Sequence, residues 1–481
     1  MNPSQGRAVR HSPTTLDPWL WSATFGETLA AGFDPAGVGA LQREERFRRL
    51  LEVARDSPLY RHRLRGAAAL TDLRAIEPVT KTELMDRFDE WATDRGVTRD
   101  AVDRFIEDDG NLADAFLGKY LVWTSSGTSG TPGIFVQDAR SLAAYEALDA
   151  LRLRGHPTQG MPLAAWGIGQ RFAFVGATGG HFAGTVSVER LRRLNADPWL
   201  VLPWFAPIVQ TFSVQTPLGE LAEALQAFEP TVLITYPSCA AALAELQLEA
   251  RIHLRLAEVW FGGEQLSDRQ RLLVRRAFGC ATRNNYGASE FFSMAWECEH
   301  GRLHLNDDWV VLEPVDRQSR PVAAGVTPHA VLLTNLANHV QPLLRYRLDD
   351  SVRVTGERCA CGCAFPVIEV QGRTGHTLRL RAADGQLVTI LPLAVETAIE
   401  EGAQVTQFQL LRQAADTLEL RFERGVGDST HAFARAKTAL TEYLRTQGLA
   451  AIRVVHGRRA PLRERTSGKL CRVCNALHEQ H

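Results

Sequence analysis

Apolar residues recur at helical spacing in residues 42–55, where Phe47, Leu50, Leu51 and Val53 stand among charges. That pattern predicts an amphipathic helix, which Ser57-Pro58 ends. Thr80, with Glu83 three residues on, marks a second helix start. Leu121, Val122 and Trp123 can end a buried strand, and 134–136 form another β-like run. A helix is expected over 139–154. Short apolar runs in 163–175 lead into a glycine-rich loop, 176–184. A strand at 231–236 ends at Pro237-Ser238, a helix covers 240–250, and a strand at 256–261 closes on Gly262-Gly263-Glu264. A helix at 269–278 and a strand at 282–286, running into Gly287, complete the series. Repeated strand–turn–helix units imply an α/β fold with ligands at the carboxyl ends of the strands.

The pattern changes near residue 372. Runs at 377–380 and 386–390 flank Ala-Ala-Asp-Gly and predict a hairpin. A helix at 392–401, strands at 407–412 and 417–424, a long helix at 433–445 and a strand at 452–456 follow. This reads as a small α+β domain of ordinary size. The expected organisation is a large N-terminal domain, 1–371, and a small mobile C-terminal domain, 372–481, with a hinge near 372–376. Residues 1–15 read as a loose polar tail. No internal repeat is visible.

The chain has 481 residues, too many for one compact core. Its 45% hydrophobic and 23% charged residues are ordinary for a soluble protein. A net charge of -1 gives no basic patch, so nucleic acid is not an expected partner. No run reaches membrane-spanning length, and the polar N-terminus lacks a signal-peptide core. A cytoplasmic location is expected. Eight cysteines in such a chain do not make a disulfide scaffold, and their clustering points to metal first.

The candidate chemistry centres on residues 124–133, almost all small or hydroxylic. Ser125, Ser126, Gly127, Thr128, Ser129 and Gly130 can bring N–H and hydroxyl donors close to an anion such as a phosphate chain. A flexible turn has the same composition. A Walker-type loop is excluded, since no Gly-Lys-Ser/Thr follows.

Five motifs occur in order: 125–133, Tyr286-Gly-Ala-Ser-Glu290, 342–350 (Pro-Leu-Leu-Arg-Tyr-Arg-Leu-Asp-Asp), Gly372-Arg373 and Arg465-Thr-Ser-Gly-Lys469. Together, with the Ser57-Pro-Leu-Tyr-Arg61 and Lys81 segment, they resemble the adenylate-forming enzymes, in the phenylacetate–CoA ligase and coenzyme F390 synthetase branch. The resemblance covers nearly the whole chain past residue 40. It implies ATP-dependent activation of a carboxylic acid as an acyl-adenylate, with release of pyrophosphate.

The resemblance also implies roles. The 125–130 loop would cradle the β- and γ-phosphates, although Thr131 stands where relatives carry Lys. Glu290 would hold Mg²⁺, a cation that favours carboxylate and phosphate oxygens; a surface ion-pair residue is the lesser alternative. Tyr286 would lie along the adenine, in a slot lined by Gly262, Gly263, Glu264 and Gly287. Asp350, or less in register Asp349, would accept from the ribose hydroxyls. Arg373 would reach ribose or phosphates from the hinge. Lys469 would enter between carboxylate and α-phosphate as a mobile point charge.

Cys298 and His304 in one segment, and Cys359, Cys361 and Cys363 in another, suit a structural zinc of the kind some members of this branch carry. Cys298, His304, Cys359 and Cys361 are favoured, with His300 and Cys363 as rivals. Cys471 and Cys474 with His478 and His481 also have ligand-like spacing. The acyl pocket is expected between the 179–182 loop, Tyr236-Pro237-Ser238 and Gly287-Ala288. His181 either meets the substrate or packs within its loop. Phe182 and Tyr236 favour an aryl acid.

The expected acceptor is CoA. Gly375 and His376 replace an acidic pair usual in CoA-forming relatives, so an amine or a carrier-protein thiol is the alternative. A non-catalytic nucleotide-binding homologue is a further alternative, and a homodimer is left open.

Overall fold

The computed structural model describes residues 17–64, 73–125, 132–153, 169–195, 207–348, 350–371, 378–403, 405, 408–422, 429–461 and 472–474. A nine-stranded mixed sheet organises the molecule. Its strands include β3 (Arg171–Gly176), β4 (Ile208–Ser213), β5 (Val232–Thr235), β6 (Glu258–Phe261), β7 (Ala281–Ala288), β8 (Phe291–Glu297) and β9 (Leu303–Leu305). Strands Val367–Gln371 and Ser351–Val354 extend it at the edge beyond β9. From β7 to β4 the strands run parallel in the order β7-β6-β5-β3-β4; from β7 to the other edge they run antiparallel. The carboxyl ends of β3, β5, β6 and β7 therefore open on one side, the usual ligand side of such a sheet.

Two antiparallel sheets flank that side. One is the hairpin of β1 (Leu121–Thr124) with β2 (Ile134–Gln137), in which Thr124 pairs with Ile134. The other is three-stranded, from Val310–Val315, Ala330–Asn335 and Leu343–Leu348. A large buried cluster joins Trp91, Trp123, Phe135, Phe291 and Tyr346 and locks both sheets together. Among described residues, no helix is long and apolar enough to cross a membrane.

Downstream, a hairpin at Leu378–Arg381 and Leu387–Ile390 precedes a four-stranded sheet built from residues 408–474. Helices Pro392–Ala403 and Ser429–Thr446 pack with it. Its core is continuous with the parallel half of the large sheet, since Leu243 and Val259 share one apolar cluster with Leu378, Ile399 and Leu440. Gln447 Nε2 donates to Gln215 O at 2.7 Å, and Gln215 Nε2 donates to Glu401 at 2.9 Å, across the same junction.

Local chemistry explains several boundaries. Thr80 accepts from Glu83 N and caps helix Lys81–Asp86. Ser267 and Gln270 form a capping box at helix Asp268–Phe278. Pro237 corrects one expectation: it opens helix Pro237–Leu248 at its first position, where a missing N–H costs nothing, rather than standing in a turn before it. β7 also corrects one, because it continues through Gly287 to Ala288. The helix expected over 139–154 ends at Leu148 and passes into a π-turn, Asp149–Leu153. An unexpected helix, Pro18–Phe33, is capped by Asp17 with Pro18 following it.

Candidate active site

The described residues line a cavity of 1630 Å³ at the carboxyl ends of the parallel strands. Ten expected site residues line it: Ser125, Phe182, Tyr236, Gly263, Glu264, Tyr286, Gly287, Ala288, Glu290 and Asp350. Ser126, Gly127, Thr128, Ser129, Gly130, Arg373 and Lys469 lie outside the described residues, as do Thr131, Asp349 and the 372–376 hinge.

One wall is built by β7 and the loop after it. Tyr286 donates from its hydroxyl to Asp350 Oδ2 at 3.1 Å, so ring and carboxylate are fixed as a unit. Gly287 has to be glycine: a Cβ there would lie 1.9 Å from the Phe292 carbonyl oxygen. Glu290 is buried, and Tyr346 donates to its Oε1 at 2.8 Å. Burial raises the Glu290 carboxyl above its ordinary pKa, while Lys81 and the Tyr346 hydroxyl pull it back.

The β1–β2 hairpin is tied to this wall. Trp123 Nε1 donates to Ser289 O at 2.8 Å. Ser125 N donates to Gly133 O at 2.8 Å, and Ser125 Oγ accepts from Gly133 N at 2.9 Å, closing the base of the loop. Lys81 Nζ lies 3.5 Å from Ser125 Oγ and lines the cavity. Sequence spacing gives no hint of this cation beside Ser125, because it arrives from 44 positions upstream.

The opposite wall comes from β5 and β6. Gly263 has φ +76°, and a Cβ would lie 2.8 Å from the Tyr236 ring. Glu264 accepts from Ser238 N at 3.0 Å and Ser238 Oγ at 2.9 Å. Burial pushes its carboxyl up to about 7 despite those two hydrogen bonds. Tyr236 donates no charge here: burial raises its phenol well above the usual range, and its hydroxyl accepts from Ala177 N at 3.2 Å.

His181 is not among the cavity-lining residues. Its imidazole is buried beside the Phe105 ring, 6.1 Å between centroids. Its backbone carbonyl accepts from Thr124 N at 2.7 Å, which joins this loop to β1 and orients the residue. The loop contributes Phe182 to the cavity instead.

A second cluster lies on the antiparallel half of the sheet. The ligand atoms of Cys298, His304, Cys359 and Cys361 all lie within 4.8 Å of one another. Cys298 Sγ is 3.6 Å from Cys359 Sγ, and Cys361 Sγ is 3.3 Å from His304 Nε2. His304 Nδ1 sits 3.0 Å from Phe365 O, so that carbonyl can hold the Nδ1 proton and leave Nε2 for a metal. Strand pairing assembles the set, with His304 opposite Val367. Three sulfurs and one nitrogen fit a tetrahedral structural zinc. The rival His300 is outside this set and half-exposed beside Glu299, and Cys363 is outside it too. Cys471, His478 and His481 lie outside the described residues.

No family model matches the chain. CapK of Staphylococcus aureus is 27% identical over 135 residues, which are 28% of this chain and 28% of CapK. The chain thus spans only about a quarter of the curated relative it matches. A 2-hydroxyisobutyryl-CoA ligase, solved with 2-HIB-AMP and CoA in the thioesterification state, superposes with a TM-score of 0.52 at 20% identity, over 99% of this chain and 94% of that one. An open conformation of the same ligase, with the same ligands, gives 0.50 at 20% identity over 90% of each chain. The fold is that of the adenylate-forming ligases. On the side where the parallel strands end, this chain places Ser125, Tyr286, Glu290 and Asp350 around one cavity.

Proposed function

We propose that the chain activates a carboxylic acid with ATP and passes the acyl group to CoA. A carboxylate oxygen bonds to the α-phosphorus, the bond from that phosphorus to the bridging oxygen breaks, and pyrophosphate leaves. The CoA sulfur then bonds to the acyl carbon and AMP departs. The observation that carries this reading is the convergence of Ser125, Tyr286, Glu290 and Asp350 on one cavity, with Lys81 beside Ser125.

Asp350, already held by Tyr286, suits two ribose hydroxyls, and the Tyr286 ring suits the adenine face. Gly263 allows the base to approach the β6 loop closely, with Glu264 beside it. Mg²⁺ bound with the nucleotide would neutralise phosphate charge, and Glu290 is the carboxylate that would hold it. Lys81 supplies charge that Thr131 does not, so Lys81→Ala should lower pyrophosphate release by roughly 100-fold. Lys469 is assigned the transit charge on the α-phosphate, on a lid formed by residues 372–481 that turns about 372–376. The Cys298–Cys361 set is assigned a structural zinc. We place the enzyme in the cytoplasm.

An aryl substrate is supported by the rings on the acyl side, Phe182, Tyr236 and Trp260 among them. Gly375 and His376 favour a second acceptor, an amine or carrier thiol. Supplying acid, ATP and micromolar CoA tests the choice. Thioester formation supports CoA, whereas accumulation of acyl-adenylate until an amine or carrier is added supports the alternative.

A further inference from the structure

The cavity extends well beyond the nucleotide wall. Its far arm runs between helices Pro18–Phe33, Ala139–Leu148 and Ala183–Asn195, and Phe25, Leu142, Phe174, Leu191 and Trp260 give it an apolar lining. Within this lining Arg190, only 9% exposed, forms an ion pair with Glu146. Both residues line the cavity, and neither has a part in the chemistry above.

The helix carrying Arg190 fixes the distance. It begins at Ala183, next to Phe182, whose backbone bridges to Thr124 at the phosphate loop. Ala183, Ser187, Arg190, Leu191 and Leu194 recur at helical spacing along the cavity side. At 1.5 Å of rise per residue, Arg190 lies about 10 Å along the arm from Ala183. A buried ion pair is seldom a net source of stability, because desolvation offsets the attraction. Its placement in a cavity wall, one donor beside one acceptor, has a recognition use.

We propose that Arg190 and Glu146 read a hydroxyl at the far end of an extended acid, on the carboxylate-activating reading given above. A hydroxyl donates to Glu146 and accepts from Arg190 while bringing no charge into the apolar arm. A second carboxylate would have to displace Glu146, and an ammonium would have to displace Arg190. Because the two side chains satisfy one another without ligand, an acid lacking the hydroxyl leaves no buried group unpaired. The discrimination is therefore about 10-fold, far below what an orphaned site produces.

The test is calorimetric binding of cinnamate, para-hydroxycinnamate and para-carboxycinnamate to the full chain without ATP, with pyrophosphate release measured in parallel. The hydroxylated acid should bind about 10-fold more tightly than either of the others. Arg190→Met and Glu146→Met should each bring hydroxylated and plain acids to within about twofold, with plain cinnamate bound as before; Glu146→Met removes the acceptor alone and keeps the inference testable should Arg190→Met fail to fold. Equal binding of the acids by wild type, no binding of any, or equal weakening of all by both variants overturns the inference. Selective binding with no acid-dependent pyrophosphate release leaves it standing and refutes the adenylating reading. Release with plain acids preferred does the reverse.

Discussion

Tyr346 donates its hydroxyl to Glu290 Oε1 at 2.8 Å, and so a strand of the three-stranded sheet holds the carboxylate at the end of β7. Without that donor the buried Glu290 would lose its fixed orientation. Tyr346→Phe should raise the Mg²⁺ concentration for half-maximal pyrophosphate release by about 10-fold, as for loss of a partner that orients a metal ligand. Titrating Mg²⁺ at saturating ATP checks this; an unchanged requirement would separate Glu290 from the metal.

Gly287 tests the geometry of the β7–β8 turn. Alanine would place a methyl 1.9 Å from Phe292 O, and the obstacle is backbone, which cannot swing aside. Gly287→Ala should cost roughly 3 kcal/mol and lower the melting temperature by roughly 5 °C. A melting curve superposable on wild type would show that the hairpin is looser than described.

Glu264 gives a pH signature. Its folded carboxyl is raised from 4.5 to about 7 by burial. The folded chain thus keeps a proton that the unfolded chain releases, and this contribution is complete below 4.5 and lost as pH rises through about 7. Glu264→Gln cannot ionise, so it should gain on wild type by about 1–2 kcal/mol between pH 5.5 and 8.5, allowing for screening by cavity water. Parallel melting-temperature curves for the two proteins would refute the shift.

Zinc should copurify at about one per chain, on protein made without chelator. Chelation should then lower the melting temperature more than it lowers the rate of surviving enzyme, since none of Cys298, His304, Cys359 and Cys361 is among the residues lining the cavity. Elemental analysis finding no zinc refutes the assignment.

Much of this was legible in the sequence where chemistry is local. Thr80 with Glu83 marked a helix start that the structure keeps. The family resemblance favours Cys298, His304, Cys359 and Cys361 over the rivals His300 and Cys363, and these four are the ones the fold brings together. Ten expected site residues line one cavity because most of them sit at or just beyond strand ends, where short motifs carry the geometry. What stayed hidden depends on tertiary placement. Lys81 lies beside Ser125 in a fold that pairs Val79, two residues before it, with Tyr346 of strand Leu343–Leu348. The antiparallel strand Phe291–Glu297 is buried on both faces, so its sequence shows no alternation to read. The sequence leaves His181 open between a substrate contact and a packed loop residue; its imidazole is buried beside Phe105 and is not among the residues lining the cavity. The Glu146–Arg190 pair joins two helices that look independent in the sequence.

Acid-dependent release of pyrophosphate is the most direct test of the central claim. With ATP and Mg²⁺ present, wild type should release pyrophosphate only when an acid is supplied. Lys469→Ala should cut that rate by at least ~100-fold while ATP binding changes little, as expected for a charge that acts in the transition state. Release at the wild-type rate in Lys469→Ala, or none from wild type with any acid of a broad aryl and alkyl panel, would contradict the account.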